Sequence, residues 1–201
     1  MLSYIIWYKM LKEHELNNLN KGLYFNKKYL ISNGSGGYVY RINDKYVVKH
    51  MCFYKTWKYI KKEFDTTIFL SMYNIAPKVI YHSKSTDKFK YFVMENLDYT
   101  AHSMIKSKRF TEFHLGKLKN IFSKLNKTNF IHADLHLKNI MWSNHYKEFR
   151  IIDWEYYYKT NKYINYSNFI NKVNYIMNNE YYIYKIFGYT IYKTKCLTNY
   201  L

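Results

Sequence analysis

The stretch IHADLHLKNI at 131–140, followed by IIDW at 151–154, decides how this sequence is interpreted. It carries Asp134, then Asn139 five residues later, and Asp153 after a short apolar-flanked turn. Phosphoryl transfer from a magnesium-bound nucleotide needs one carboxylate that orients the attacking hydroxyl group. It also needs an amide and a second carboxylate that hold the metal ions. The three side chains are therefore predicted to form a phosphoryl-transfer site.

The residues before this stretch predict an antiparallel sheet and one helix. Short runs rich in apolar and β-branched residues, bounded by turn residues, predict strands at 29–31, 38–42, 45–49, 78–82 and 90–95. Between the third and fourth strands, apolar residues recur with helical spacing over residues 55–73, at Trp57, Ile60, Phe64, Ile68 and Met72. Pro77, the only proline, marks the end of that helix.

The second half of the chain is predicted to be mainly helical. Thr111 can cap a helix whose apolar face is formed by Leu115, Leu118, Phe122 and Leu125. A short hairpin is predicted from 140–142 and 149–152, and a last helix from about 167 to 177. Strands dominate one half and helices the other, so the predicted fold class is α+β.

A glycine cluster lies between the first two predicted strands. The segment ISNGSGGYV at 31–39 resembles the glycine-rich loop of protein kinases, in which backbone N–H groups close over phosphate oxygens. Gly34 and Gly37 match the second and third glycines of that loop, and Ser32 stands in place of the first. The resemblance implies that the nucleotide is contacted by Ser32, Gly34, Gly36, Gly37 and Val39.

Lys49 ends the strand that follows the glycine cluster. In protein kinases a lysine at this place pairs with the α- and β-phosphates and with a carboxylate of the next helix. Glu63 and Asp65 are the candidates for that carboxylate. Glutamate is the usual family residue, whereas the apolar spacing to Ile68 and Phe69 slightly favours Asp65, so both remain open.

The segment YFVMENL at 91–97 resembles the strand and hinge that follow in kinases. The resemblance implies that Met94 lies at the back of an adenine pocket. It also implies that backbone groups of Glu95 to Leu97 meet the adenine edge. An ordinary buried strand explains the same residues without a ligand.

The opening stretch resembles the catalytic loop and metal-binding strand of the protein-kinase-like superfamily. The resemblance implies that Asp134 is the catalytic base, that Asn139 and Asp153 bind Mg²⁺, and that His132 is structural. It also implies ATP as the phosphate donor. The other histidines, among them His102, are predicted to lie on the surface.

The stretch departs from most protein kinases at three places. Ala133 replaces the arginine that usually docks a phosphorylated activation loop, so no such switch is expected. His136 stands where serine/threonine kinases have lysine. Aminoglycoside and choline kinases often have histidine at that place. The tripeptide Asp-Trp-Glu at 153–155 also resembles the corresponding segment of these small-molecule kinases. Lys138 is predicted to supply the missing charge to the transferred phosphate, which makes His136 and Lys138 candidate catalytic residues.

These resemblances imply one kinase-like domain over residues 1–201, with an N-lobe at about 1–95 and a C-lobe at about 96–201. The expected fold is a reduced two-lobed α+β kinase fold: an antiparallel N-lobe sheet with one helix and a short, mainly helical C-lobe. Only 48 residues follow Asp153. The chain is thus similar in economy to the small atypical kinases of archaea and of large DNA viruses.

The function expected first is that of a serine/threonine protein kinase. The alternatives are a kinase of a small hydroxylated molecule, of the aminoglycoside or choline type, and a pseudokinase that only binds partners. The intact set of Lys49, Asp134, Asn139 and Asp153 argues against the pseudokinase.

Composition limits the partners and the compartment. The net charge is +18, from 32 Lys and Arg against 14 Asp and Glu, and such a charge attracts acidic proteins and nucleic acid alike. Lys, Asn, Ile, Tyr and Phe all have AT-rich codons and are abundant here, so genome composition explains the same charge. The charge alone therefore names no partner, and an acidic acceptor is a hypothesis. Two cysteines, Cys52 and Cys196, indicate a reducing, cytoplasmic environment rather than a disulfide framework. The apolar run at 2–11 is too short to cross a bilayer and is predicted to be an amphipathic helix, so no membrane partner is expected.

Overall fold

The computed structural model describes residues 11–34, 36–51, 56–84 and 90–178. The helix predicted at 2–11 lies, except for Leu11, outside these residues, as do Cys52 and Cys196. The chain divides into two compact units. The first comprises the described residues up to Met72 and Pro77–Asn96, and the second comprises Tyr73–Ala76 and the described residues from Leu97 onward.

The first unit is built on a five-stranded antiparallel sheet. Its strands are β1 (Leu30–Gly34), β2 (Gly37–Arg41), β3 (Tyr46–Met51), β4 (Val79–His82) and β5 (Tyr91–Glu95), in the order β1-β2-β3-β5-β4. The unit also has helix α1 (Glu13–Asn20), a 3₁₀ turn (Lys27–Tyr29) and helix α2 (Trp57–Met72). The predicted antiparallel sheet, with one helix between the third and fourth strands, is confirmed.

The two helices pack on opposite faces of this sheet. Successive strand residues point to opposite faces, and the buried apolar residues divide accordingly. One cluster joins Leu19 of α1 to Val48 and Val93 of the sheet. The other joins Ile60 and Phe64 of α2 to Met51 and Phe92. Lys49 shares the face of Met51, so its side chain is directed toward α2.

Helix α1 was not predicted, because the sequence indicated helices in this half only at 2–11 and 55–73. Glu15 explains why it forms. One carboxylate oxygen of Glu15 accepts from the backbone N–H of Lys12 at the start of the helix, at 2.8 Å, and the other accepts from the side-chain amide of Asn43, at 2.7 Å. The contact with Asn43 spans 28 residues of sequence, so local periodicity carries no signal of it.

Gly37, at the start of β2, requires the absence of a side chain. Its φ is +150°, and a Cβ atom there would lie 2.4 Å from the carbonyl oxygen of His50 on β3. We expect Gly37→Ala to lower the free energy of unfolding by about 2 kcal/mol, because both the backbone conformation and the strand pairing resist the added carbon. Denaturant unfolding measures the change.

Gly34 provides the matched control for this substitution. A Cβ atom at Gly34 would meet no atom within 4 Å. Gly34→Ala should therefore change stability by less than about 0.5 kcal/mol. An equal loss of unfolding free energy in Gly37→Ala and Gly34→Ala would contradict this prediction.

Within the described residues, the second unit combines three helices with two small antiparallel sheets. In chain order its described elements are β6 (Tyr99–Thr100), α3 (Ala101–Lys106), α4 (Glu112–Asn126), β7 (Phe130–His132), β8 (Ile140–Ser143), β9 (Glu148–Ile151), β10 (Tyr157–Lys159) and α5 (Ser167–Asn178). One sheet has the order β6-β8-β9, and the other pairs β7 with β10. Helix α4 begins after Thr111, and its predicted apolar face is buried at Leu115, Leu118, Phe122 and Leu125.

The α+β class predicted from the sequence is confirmed, whereas β6, β7, β10 and α3 were not predicted. Each of these four elements has at most six residues, which is too short for a clear periodic pattern. Within the described residues, none of the helices has the length and apolar character that a bilayer crossing demands.

Candidate functional site

The predicted catalytic loop lies between β7 and β8 and is fastened at both ends. The N–H of Ala133 donates to the carbonyl oxygen of Tyr156 at 3.0 Å, extending the pairing of β7 with β10. At the other end, the N–H of Ile152 donates to the carbonyl oxygen of Asn139 at 2.9 Å. The loop is thus held between the segments that precede and follow Asp153.

His132 is the buried centre of this loop. The backbone N–H of Asp134 donates to its Nδ1 at 3.1 Å, so Nδ1 is an acceptor. The proton must then be on Nε2, which donates to the carbonyl oxygen of Ile152 at 2.9 Å. The imidazole also packs edge to face against Trp154, with 4.6 Å between ring centroids. His132 therefore joins the loop to the Asp153 strand as a neutral side chain.

The carboxylate of Asp134 faces outward from a fixed backbone. Its side chain is 51% exposed, while its carbonyl oxygen accepts from Nδ2 of Asn139 at 3.0 Å. Nε2 of His136 lies 3.5 Å from the Asp134 carboxylate. An exposed carboxylate on a rigid loop suits a group that must meet the hydroxyl of an incoming acceptor.

Burial alternates along the loop after Asp134. Leu135 and Leu137 are buried, whereas His136 is half-buried and Lys138 is exposed. The alternation places Asp134, His136 and Lys138 on the outer side of the loop. The structure therefore brings these three predicted residues together.

Asn139 and Asp153 lie on either side of the Ile152–Asn139 hydrogen bond. The Asn139 amide nitrogen donates to Asp134, and among the described residues no donor contacts the amide oxygen. Asp153 has a φ of +65°, a left-handed conformation that is uncommon for a residue other than glycine and tends to occur at functional sites. The side chains offer oxygen atoms, the donors that Mg²⁺ prefers.

In the first unit, Lys49 forms a buried ion pair with Glu63. Nζ of Lys49 lies 2.5 Å from the Glu63 carboxylate, and the two side chains are 9% and 2% exposed. Asp65 is 50% exposed and pairs with Lys61. Of the two candidates, Glu63 is the partner of Lys49, although apolar spacing pointed slightly to Asp65.

Helix geometry explains the choice between the two acids. Two residues along an α-helix turn the side chain by about 200°, to nearly the opposite face. Ile60 and Phe64 face the sheet, and Glu63 lies between them on the helix surface. Asp65 therefore points to solvent.

The predicted nucleotide-loop residues lie on β1 and β2. Ser32 and Gly34 are exposed on β1, Gly36 and Gly37 are buried, and Val39 is half-buried and opposite Lys49 in the register. Ser35, between them, lies outside the described residues. The loop residues and Lys49 therefore lie on three consecutive antiparallel strands, β1, β2 and β3, and the turn between β1 and β2.

The predicted hinge has part of its backbone already paired. Met94 is half-buried, and Glu95 and Leu97 are buried. The N–H groups of Glu95 and Asn96 donate to the carbonyl oxygens of Lys78 and Lys45, at 2.9 Å and 2.8 Å. The expected adenine contact would have to use other backbone groups of this segment.

The structure places His102 at the site, where the sequence indicated an ordinary surface position. This half-buried residue is the second of α3, and its backbone N–H donates to the carbonyl oxygen of Leu137 at 3.2 Å. The contact spans 35 residues, and no sequence motif signals it. Helix α3 is thereby held against the predicted catalytic loop.

The buried state of His132 predicts a dependence of stability on pH. Burial holds the pKa of His132 below its ordinary value, and the Ile152 carbonyl and the two nearby aspartates oppose this only in part. The unfolded state then binds the proton more readily. Stability is retained above the unfolded pKa of about 6.5 and is lost as the pH falls from there toward the lowered folded value.

Urea unfolding between pH 7.5 and pH 5 tests this expectation. The loss of stability should be smaller in His132→Gln, which lacks the titrating ring, than in the wild type. An equal loss in both proteins would show that His132 does not carry the dependence.

Comparison with known proteins gives a distant similarity. No family model matches the chain. Over 155 residues it is 26% identical to a probable serine/threonine-protein kinase of Dictyostelium discoideum. The match covers 71% of this chain and 23% of that kinase, so the chain corresponds to less than a quarter of its length. The chain is therefore similar, at low identity, to a probable serine/threonine kinase.

Proposed function

We propose that this chain is an ATP-dependent phosphotransferase that transfers phosphate to a hydroxyl group, and that it acts as a serine/threonine protein kinase. The observation that carries the proposal is the arrangement around His132. This buried histidine binds the backbone of Asp134 on one side and the strand leading to Asp153 on the other, with Asn139 bonded to both segments. The similarity to a probable kinase supports the same function.

Each of these residues has its own role in the proposed reaction. Asp134, outward-facing and anchored through its backbone, orients the acceptor hydroxyl and takes its proton. Lys49, held by Glu63, binds phosphate oxygens of ATP. Asn139 and Asp153 would hold Mg²⁺, which neutralises phosphate charge when bound. Lys138 and His136 stand beside Asp134 on the outer side of the loop.

The proposal extends to the fold. We assign the chain to one reduced kinase-like domain, with lobes at about 1–95 and 96–201. ATP as the donor also implies a cytoplasmic site of action.

A kinase of a small molecule is the second candidate, favoured by His136 and by Trp154. The structure gives Trp154 a packing role: it is fully buried, its Nε1 donates to the carbonyl oxygen of Ile151 at 2.8 Å, and its ring contacts His132. Because packing accounts for Trp154, His136 remains as the main feature that supports this candidate.

Incubation with γ-labelled ATP and a panel of acceptors tests the proposal. The panel holds acidic and basic proteins, sugars, choline and an aminoglycoside. We expect label on serine or threonine of a protein, together with a thermal shift on adding Mg-ATP. Label only on a small molecule supports the second candidate. If no acceptor is labelled and Mg-ATP causes no thermal shift, the proposed enzymatic function is contradicted.

A further inference from the structure

We propose that the acceptor is an acidic protein segment, with a carboxylate or phosphate beside its hydroxyl residue, and that His102, Lys106 and Lys138 bind this negative charge. The inference rests on the proposed function, because it concerns the acceptor of that site. It assigns a substrate class and two further binding residues.

The first step is the position of α3. The N–H of His102 donates to the carbonyl oxygen of Leu137, in the loop that carries Asp134. Thr100 caps the helix by accepting from the N–H of Ser103 at 3.0 Å. Lys106 follows His102 by four residues, so the two side chains lie on the same helix face, and Lys106 is exposed. Helix α3 therefore presents a histidine and a lysine at the catalytic loop.

The second step is the convergence of basic groups. Lys138 directly follows Leu137 and is exposed. The pKa of His102 is lowered by burial first, and then by its neighbours Lys138, Lys106 and His136. His102 is thus a neutral hydrogen-bond donor near pH 7, next to two lysine charges.

The third step is the position of this cluster relative to Asp134. His136, one of the groups acting on His102, lies 3.5 Å from the Asp134 carboxylate. The cluster of basic residues around His102 therefore reaches the residue assigned as the base. An anionic side chain flanking the acceptor hydroxyl would be attracted here, whereas a cationic acceptor such as choline or an aminoglycoside would be repelled by the lysines.

The net charge of +18 acts in the same direction over longer distances. It attracts acidic segments and raises their rate of encounter. Net charge alone would attract nucleic acid equally well. The similarity to a probable serine/threonine kinase favours protein as the source of the hydroxyl group.

Matched peptides test the inference. Four peptides share one serine and differ in its flanks, which are aspartate, phosphoserine, alanine or arginine. We expect kcat/KM for the two acidic peptides to exceed that for the arginine peptide roughly tenfold or more, mainly through KM. The difference should shrink at high salt. A preference between aspartate and phosphoserine shows which anion is bound.

Substitutions connect this preference to the residues. Lys106→Glu should lower kcat/KM roughly tenfold for the acidic peptides and much less for the alanine peptide, and Lys106→Arg should retain the preference. Lys119→Glu is the control, because this substitution makes the same change of charge at an exposed residue of α4. Lys119→Glu should leave kcat/KM for all four peptides close to that of the wild type.

Several outcomes would overturn the inference. They are preference for the arginine peptide, equal use of all four peptides, label on choline, aminoglycoside or oligoribonucleotide instead of peptide, and equal effects of Lys106→Glu and Lys119→Glu. Transfer to peptides without charge preference removes the inference but keeps the proposed function. No transfer to any acceptor and no ATP binding removes both.

Discussion

Replacing Asp134 with asparagine is expected to lower phosphoryl transfer about a thousandfold. Asparagine has the same shape but cannot take the proton of the acceptor hydroxyl. The carboxylate is half exposed, and the hydrogen bonds to His132 and Asn139 use the Asp134 backbone. Folding and ATP affinity should therefore change little, as measured by thermal unfolding with and without Mg-ATP.

Asp44→Asn is a matched control for this substitution, since Asp44 is an exposed turn residue between β2 and β3. It should leave transfer close to wild type. Loss of ATP binding and of stability in Asp134→Asn would instead assign Asp134 a structural role.

Replacing Lys49 with methionine is expected to destabilise the protein by about 3 kcal/mol and to abolish transfer. The substitution removes the ammonium group 2.5 Å from Glu63, whose carboxylate is almost fully buried. A buried charge that loses its partner keeps the cost of desolvation without the compensating attraction. Denaturant unfolding must accompany the activity assay, because lost activity alone would not separate phosphate binding from folding.

Glu63 and Asp65 give this prediction its control. Glu63→Gln should lower stability, and it should also lower transfer because Lys49 loses its positioning partner. Asp65→Asn should do neither, since Asp65 is half exposed and pairs with Lys61 on the surface. Equal effects of the two substitutions would contradict the assignment of Glu63 to Lys49.

The elements that the sequence predicted are those whose residues carry their own pattern. The short apolar runs of β3 and β5 and the helical spacing of α2 and α4 are local, so these strands and helix faces follow from nearby residues. Helix α1 was missed because it is short, and because the contact of Glu15 with Asn43 spans 28 residues. Strand β10 exists only by pairing with β7, which is likewise a long-range contact.

In the candidate site, too, features set by neighbouring residues could be predicted, and features set by long-range contacts could not. The spacing of Asp134 and Asn139 belongs to one loop, so the sequence could suggest it. The choice of Glu63 over Asp65 required the direction in which α2 faces the sheet. The tautomer of His132 and the contact of His102 with Leu137 depend on three-dimensional neighbours, and no motif encodes them.

Release of label from γ-labelled ATP tests the central claim most directly, because it counts transfer to water or to any acceptor. The wild-type protein should release label in the presence of Mg²⁺, and the release should stop when EDTA removes the metal ion. Asp134→Asn should release label about a thousandfold more slowly than the wild type. Equal release by wild type and Asp134→Asn, or none by the folded wild type with acceptors present, would contradict the account.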